Sequence, residues 1–333
     1  MTTIHDVAAH AQVSTSTVSH VLNNTRFVDP QKKARVLLAV ETLGYRPNSL
    51  ARSLRSRGTG TIGLLVPDNS NPFFADLARA IEDVSFAQGY SLMLCNSDGD
   101  DRKEASYINV LLSKQVDGLI LIATSNHSDH LSAIHKAGVP VVVVDRELDD
   151  PAVDQVLVDN EHGGYLAGQY LVGLGHRQIA CITGLRDLTP SAKRLVGFRR
   201  ALAESGLVLP PANIVSGDFR YSGGEAAMQT LLERSRDWTA VFAINDLMAI
   251  GALNTLQRSA IAVPRDVSLI GFDNILQSAM MLPAITTIGQ PIADIGRSSA
   301  TLLIERITGQ VREIARVLLT PTLIERETCR SLA

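Results

Sequence analysis

From Thr61 onward the sequence alternates between short apolar runs and amphipathic stretches of helical length, and that alternation restricts the fold more than any other feature of the chain. The runs are "TIGLLVP", "YSLMLCNS", "DGLILIA", "VPVVVVD", "QIACITG", "AVFAIN" and "VSLIGFD"; between them lie stretches such as "PFFADLARAIEDVSFAQ" and "TPSAKRLVGFRRALAESG". A strand that is apolar on both faces must be covered on both faces. Helical crossovers supply that cover, so the pattern predicts parallel sheets held between helices. It runs to about residue 145, adds an extended piece at 154–158 and starts afresh near Asn160. The expectation is an α/β body of two doubly wound parallel-sheet lobes with a cleft between them. Open sheets of this kind bind ligands beyond the carboxyl ends of their strands.

The residues that follow the runs are therefore the place to look for a site. The first run leads into "NPFF", with Asn71, Phe73 and Phe74. "VVVV" is followed by Asp145 and Arg146, and "KRLVGF" after "CITG" holds Arg194. "GDF" brings Phe219, "AIND" brings Asn245 and Asp246, "LIGFD" ends in Asp273, and "TTIGQP" offers Gln290. Carboxylates, guanidinium groups and amides direct hydrogen bonds along fixed lines, while aromatic rings offer plates to apolar C–H faces. Together they suit a small neutral sugar. A phosphate would want a glycine-rich loop at a helix N-terminus, and no such loop follows any run. Asp145 or Gln290 alone reads as a cap or an ion-pair partner; the set as a whole reads as a ligand site. In a chain with 8 Phe, the adjacent pair Phe73 and Phe74 reads as plates that sandwich a pyranose ring.

The first sixty residues are built differently. They hold eight Lys and Arg against three Asp and Glu, which leaves the rest of a chain of net charge −3 strongly acidic. A basic head on an acidic body points to a polyanionic partner for the head. "TIHDVAAHAQVSTSTVSHVLNN" parses as two short helices around a tight turn at Gln12 and Val13, with Ser14 capping the second. A third helix starts with Asp29 as cap and Pro30 at its first position, and stops at Gly44. Thr15, Ser16 and Thr17 open the second helix and are short enough to let it approach base edges. The same three helices also fit a protein-binding module. In "YRPNSLARSLRSRGTG", Leu50 and Leu54 share one side with Arg52, Arg55 and Arg57 around them. That segment is too short to stand as a lone helix in water. It reads either as a basic linker or as a piece that folds on DNA, with Leu54 as an apolar wedge in the minor groove.

On "TIHDVA", "VSTSTVSHVLNNTRFV" and "ARSL", the chain resembles the lactose-repressor family of bacterial transcription regulators, closest to its purine- and ribose-repressor members, over essentially its whole length. The resemblance implies a helix-turn-helix domain at 1–45, a hinge helix and linker at 46–60 and an effector domain at 61–333. It also divides the last into lobes of about 61–158 plus 291–319 and about 159–290 plus 320–333. Thr15, Ser16 and His20 would read bases, and Ser14, Thr17, Asn23 and Tyr45 would contact phosphates. Leu54 from each hinge helix of a homodimer would open the central step of a pseudo-palindromic double-stranded operator, with Arg52 and Arg55 beside it. The ten strand-end residues Asn71, Phe73, Phe74, Asp145, Arg146, Arg194, Phe219, Asn245, Asp273 and Gln290 resemble those that enclose the sugar in the periplasmic ribose-binding protein. They imply D-ribose as an effector that releases the operator. Where the purine-repressor members have an aromatic residue beside the aspartate, this chain has Arg146, which disfavours a flat base; a purine or another pentose is the alternative.

Several classes are set aside. The polar N-terminus and the lack of a long apolar run lead to an expectation of a cytoplasmic protein with no membrane partner, and not a transport receptor. Cys95, Cys181 and Cys329 lie far apart and read as core residues in a reducing compartment. No strand end carries a nucleophile with a histidine in an elbow motif, so a sugar-acting enzyme is remote. His127, His130 and His135 lack a carboxylate at metal spacing, and neither a metal nor a cofactor is expected. The tail "ERETCRSLA" has no leucine heptads, which favours a dimer over a larger assembly.

Overall fold

The computed structural model describes residues 2–23, 25–45, 58–125, 130–148, 150, 152–185, 187–310 and 313–332. They fall into two compact units, Met1–Thr59 and Gly60–Ala333. The proposed hinge residues Arg52, Leu54 and Arg55, and His127, lie outside the described residues.

In the first unit, α1 (Ile4–Ala11) is closed by a capping box between Thr3 and Asp6, and Gln12 turns the chain at φ 52°. Ser14 caps α2 (Thr15–Asn23), its Oγ accepting from the Thr17 amide at 3.2 Å. Asp29 caps α3 (Pro30–Thr42) through the amides of Gln31 and Lys32, and Gly44 leaves the helix at φ 58°. Each helix turns small aliphatic residues inward. Val7, Ala8, Ala11, Val18, Val21, Val36 and Ala39 form the core, with Leu22, Val40 and Tyr45 packed against it.

The second unit holds two six-stranded sheets. The first has the order β11-β5-β4-β3-β1-β2, all parallel, from β1 (Thr61–Val66), β2 (Ser91–Asn96), β3 (Gly118–Leu121), β4 (Val141–Val144), β5 (Asp154–Val158) and β11 (Arg316–Leu319). The second has the order β12-β10-β9-β8-β6-β7, from β6 (Ile179–Thr183), β7 (Ile214–Ser216), β8 (Ala240–Ala243), β9 (Ser268–Asp273), β10 (Thr286–Gly289) and β12 (Thr322–Ile324). Only β12 runs antiparallel to its neighbour, β10, among the described pairings. Runs such as "VVVV" are buried throughout, as strands covered on both faces must be. The short strands β7, β11 and β12 escaped the sequence reading because each is three or four residues long and partly exposed, so none carries a continuous apolar signal.

Helices α4 (Pro72–Ala87), α5 (Asp101–Ser113) and α6 (Leu131–Ala137) follow β1, β2 and β3. Helices α7 (Asn160–Gly173), α8 (Thr189–Glu204), α9 (Tyr221–Arg234), α10 (Asp246–Arg258) and α11 (Leu276–Met280) belong to the second lobe. Helix α12 (Ile292–Ile307) comes after β10 yet packs on α4 and the first sheet. The chain thus passes between the lobes three times, at 158–160, 289–292 and 319–322. In each sheet the strand order reverses beside the first strand of the lobe, at β1/β3 and at β6/β8, and these switch points open a crevice at the carboxyl ends. No helix among the described residues is long and apolar enough to cross a membrane.

Candidate functional site

A cavity of about 270 Å³ lies between the lobes at those carboxyl ends, and all ten strand-end residues singled out in the sequence line it. Asn71 caps α4 by accepting from the Phe73 amide at 3.0 Å, which holds both phenylalanines at the cavity wall. Their rings meet edge to face, with centroids 5.1 Å apart and planes at 68°. Nothing fits between rings so close, so the expectation that this pair sandwiches a sugar is corrected. They form one wall, buried against the core of their own lobe, and the other aromatic ring on the cavity, Phe219, comes from the second lobe. Phe219 has φ 67°, and its ring lies against Gly184, where a Cβ would come within 2.3 Å of it.

Asp145 and Arg146 leave β4 together. Arg146 reaches the carbonyls of Ala123, by a short bond, and Thr124, at 2.5 Å, using Nη1 for both. The Asp145 carboxylate receives no hydrogen bond among the described residues, although it is buried. Burial pushes its carboxyl up, and the nearby Arg194 and Arg146 offset only part of that.

The second lobe is more tightly connected. Arg194, 3% exposed, donates Nε to Asn160 Oδ1 at 2.7 Å and Nη1 to the Ile244 carbonyl at 2.7 Å; Asp273 Oδ1 is 3.5 Å from Nη1. Its guanidinium lies 3.6 Å from the centre of the Phe272 ring. Two glycines set this position. A Cβ on Gly164 would lie 1.9 Å from the Arg194 carbonyl oxygen, and one on Gly197 1.8 Å from that of Glu161. Only bare backbone lets α7 and α8 cross this closely. Asp273, the last residue of β9, also accepts from Gln290 Nε2 at 2.7 Å. Burial pushes its carboxyl up to about 8; Arg194 and Gln290 oppose the shift, while Asp246 and Asp145 reinforce it. Asn245 caps α10 through the Met248 amide at 3.0 Å and pins the Phe219 carbonyl at 2.9 Å. The oxygen Oε1 of Gln290 is buried and takes no hydrogen bond among the described residues. Asp246 does not line the cavity. It turns inward, accepting from Thr287 Oγ1 at 2.6 Å and the Ile275 amide at 3.0 Å.

Further lining residues went unnoticed in the sequence: Asp68, Asp98, Thr124, Leu185, Leu188 and Arg220 among them. They obey the same rule of following a strand, but polar turn residues are common there, and no residue type marked them out. Among the described residues no group of three metal-ligating side chains comes together.

In the head, Ser14, Ser16 and Asn23 are exposed, while Thr15, Thr17, His20 and Tyr45 are half-buried. Ser14 Oγ also meets Ser16 Oγ at 2.8 Å and Thr17 Oγ1 at 2.9 Å. His20 Nδ1 meets Thr25 Oγ1 at 2.9 Å, and Asn23 Nδ2 donates to the Ser19 carbonyl at 2.9 Å.

Residues 59–327 match the family described as periplasmic binding proteins and sugar-binding domain of the LacI family, and residues 3–48 match bacterial regulatory proteins of the lacI family. The chain is 42% identical over 327 residues to the ribose operon repressor of Escherichia coli (strain K12), covering 98% of this chain and 99% of that one. It is 40% identical over 333 residues to the HTH-type transcriptional repressor PurR of Aliivibrio salmonicida (strain LFI1238), covering all of both. Among solved structures, a LacI-family transcriptional regulator from Enterococcus faecium with bound ribose is 34% identical, with a TM-score of 0.75 over 82% of this chain and 100% of that one. The lac repressor dimer bound to operator and an anti-inducer is 27% identical, with a TM-score of 0.88 over 99% of each chain.

Proposed function

The chain belongs to the LacI family and is a DNA-binding transcriptional repressor, and from that premise we propose that its cavity binds a neutral sugar, D-ribose, which releases the protein from its operator. The observation that carries the reading is the Asp145 carboxylate, which lines the cavity and receives no hydrogen bond among the described residues. Buried acceptors left unpaired are costly, and a ligand dense in hydroxyl donors satisfies them. Besides Asp273, which is protonated at neutral pH, Asp68, Asp98, Asp145 and Asp218 line the cavity with Arg146, Arg194 and Arg220, so the lining has no excess of positive charge to hold an anionic effector. The ribose-bound relative and the ribose operon repressor support the pentose. Relatives named HTH-type transcriptional repressor PurR, at 40% identity, keep an effector other than ribose as the alternative. The buried Arg146 in the wall, polar and tethered, weighs against a flat base stacked at that position.

In the head, Thr15, Ser16 and His20 are proposed to read bases and Ser14, Thr17, Asn23 and Tyr45 to contact phosphates. A homodimer, as the lac repressor forms in its operator complex, would place two heads on a pseudo-palindromic site in the cytoplasm, with Leu54 of each hinge between base pairs and Arg52 and Arg55 on the backbone. Ligand shifts the equilibrium only by its differential affinity for the DNA-free and DNA-bound states. A thermal-shift panel of pentoses, hexoses and purine bases tests the effector; ribose is expected to give the largest stabilisation. A mobility-shift titration on an operator then tests direction, and ribose that strengthens the shifted band would refute release.

A further inference from the structure

Four residues that flank the cavity pair across the gap between the lobes. Arg220, just before α9, donates Nε to Asp68 Oδ2, just after β1, at 3.3 Å, and both line the cavity. Lys193 of α8 forms an ion pair with Glu147, beyond β4, and Glu147 also receives Arg316 of β11. In both cross-lobe pairs the acid belongs to the first lobe and the cation to the second. Each residue is tied by the chain to a cavity wall: Glu147 follows Arg146, Lys193 precedes Arg194, Arg220 follows Phe219 and Asp68 lies shortly before Asn71. The Arg220 amide donates to Asp218 Oδ1 at 2.9 Å, and the preceding carbonyl is held by Asn245, so the loop that fixes Phe219 also aims Arg220. Any movement that parts the walls must therefore part the pairs.

We infer that the Asp68–Arg220 and Glu147–Lys193 pairs are latches that close the lobes over the cavity and restrict its effector to a single sugar ring, an inference that rests on the sugar reading above. Asp68 and Arg220 both line the cavity, so their pair takes up room that a second ring would use. The latches are built to open. Side-chain exposure is 57% for Arg220 and 22% for Asp68, and 43% for Lys193 and 26% for Glu147, so each pair is weak and screened by salt. It follows that the residence of an uncharged sugar depends on ionic strength, although the sugar carries no charge.

The test uses the full chain, with one spin label on α5 and one on α9, and a double variant Arg220→Ala with Lys193→Ala. Without sugar, the inter-label distance is expected to lengthen or broaden in the variant. Ribose release is expected to quicken with NaCl in the unmodified chain. In the variant it should be about 2- to 20-fold faster and nearly flat with salt. Cellobiose, the two-ring probe, should bind the variant and not the unmodified chain. Charge exchange, Asp68→Lys with Arg220→Glu, should recover the slow release that Arg220→Ala alone loses, which a folding defect would not permit. Equal label distances in the two proteins overturn the latches whichever sugar binds, and equal cellobiose binding overturns the size limit. If ribose fails to bind the unmodified chain while the label distance still responds to the variant, the ribose reading fails and the latches stand.

Discussion

The two walls of the cavity are built on the same strand order but differ in how far their polar groups are already hydrogen-bonded. In the second lobe, Arg194 is held by Asn160, the Ile244 carbonyl and Asp273, Gln290 holds Asp273, and Asn245 holds both α10 and Phe219. In the first lobe, among the described residues, Asp145 receives no hydrogen bond and Arg146 donates to two backbone carbonyls. The second wall is the more fully organised before any ligand arrives, Gln290 Oε1 apart, and the first leaves the Asp145 carboxylate to spare. Preorganisation lowers the entropy lost on binding, whereas a buried carboxylate without donors is a cost that a ligand removes. The difference teaches a division of labour. The second lobe presents the more fixed template, and in the first lobe it is the Asp145 carboxylate that gains hydrogen bonds when it meets a ligand seated there.

Arg194→Ala is the most severe way to probe this contrast. It strips partners from buried Asp273 and Asn160, so urea denaturation should show the body destabilised by about 3–5 kcal/mol, and calorimetry should show ribose binding weakened more than about 100-fold. Arg146→Ala, on the looser wall, should lose affinity with a clearly smaller loss of stability. Equal stability losses for the two arginines would break the comparison.

Asp145→Asn sharpens it. Because burial raises the Asp145 carboxyl, removing the charge should leave the melting temperature unchanged or higher, while ribose affinity falls about tenfold through a lost charge-assisted hydrogen bond. A marked loss of stability would mean that Asp145 is held as firmly as the residues opposite.

The smallest expected effect is one of pH. The folded Asp273 carboxyl, at about 8, lies above its ordinary 3.8, so the fold favours the protonated form. That contribution is complete below the ordinary value and is lost as pH rises through the folded one. The melting temperature of the free protein should decline as pH rises from about 4 to about 8 and level off above that, and Asp273→Asn should flatten the decline. Sugar hydroxyls donate to a carboxylate, so ribose binding should tighten by a few-fold as pH rises toward about 8 and release protons below it. Calorimetry in buffers of different ionisation enthalpy would expose a binding reaction that releases none.

Much of the site was legible because position and chemistry coincide. A buried parallel strand has to end in a loop at the ligand edge, so Asp145, Asn245 and Asp273 could be placed from the runs before them. What could not be read was which of these residues are bonded to one another. The Asp246 carboxylate stands next to Asn245 in sequence yet turns inward to Thr287 and Ile275. Phe73 and Phe74, read as two plates, share one wall because both stand in the first turn of α4 with their rings packed edge to face. Asn160 drew no notice, because an asparagine at a helix start reads as a cap; its bond to Arg194 depends on two helices brought together at Gly164 and Gly197.

Periodicity and residue type by themselves determined the alternation of strand and helix, the two lobes, the basic three-helix head and the chemistry gathered at the strand ends, because those depend on burial and on local backbone preference. The tertiary structure alone decided which acceptors stay unpaired, which wall is rigid and which charges meet across the gap. Those depend on distances between residues remote in the chain, and a change of an ångström or two makes or removes a hydrogen bond.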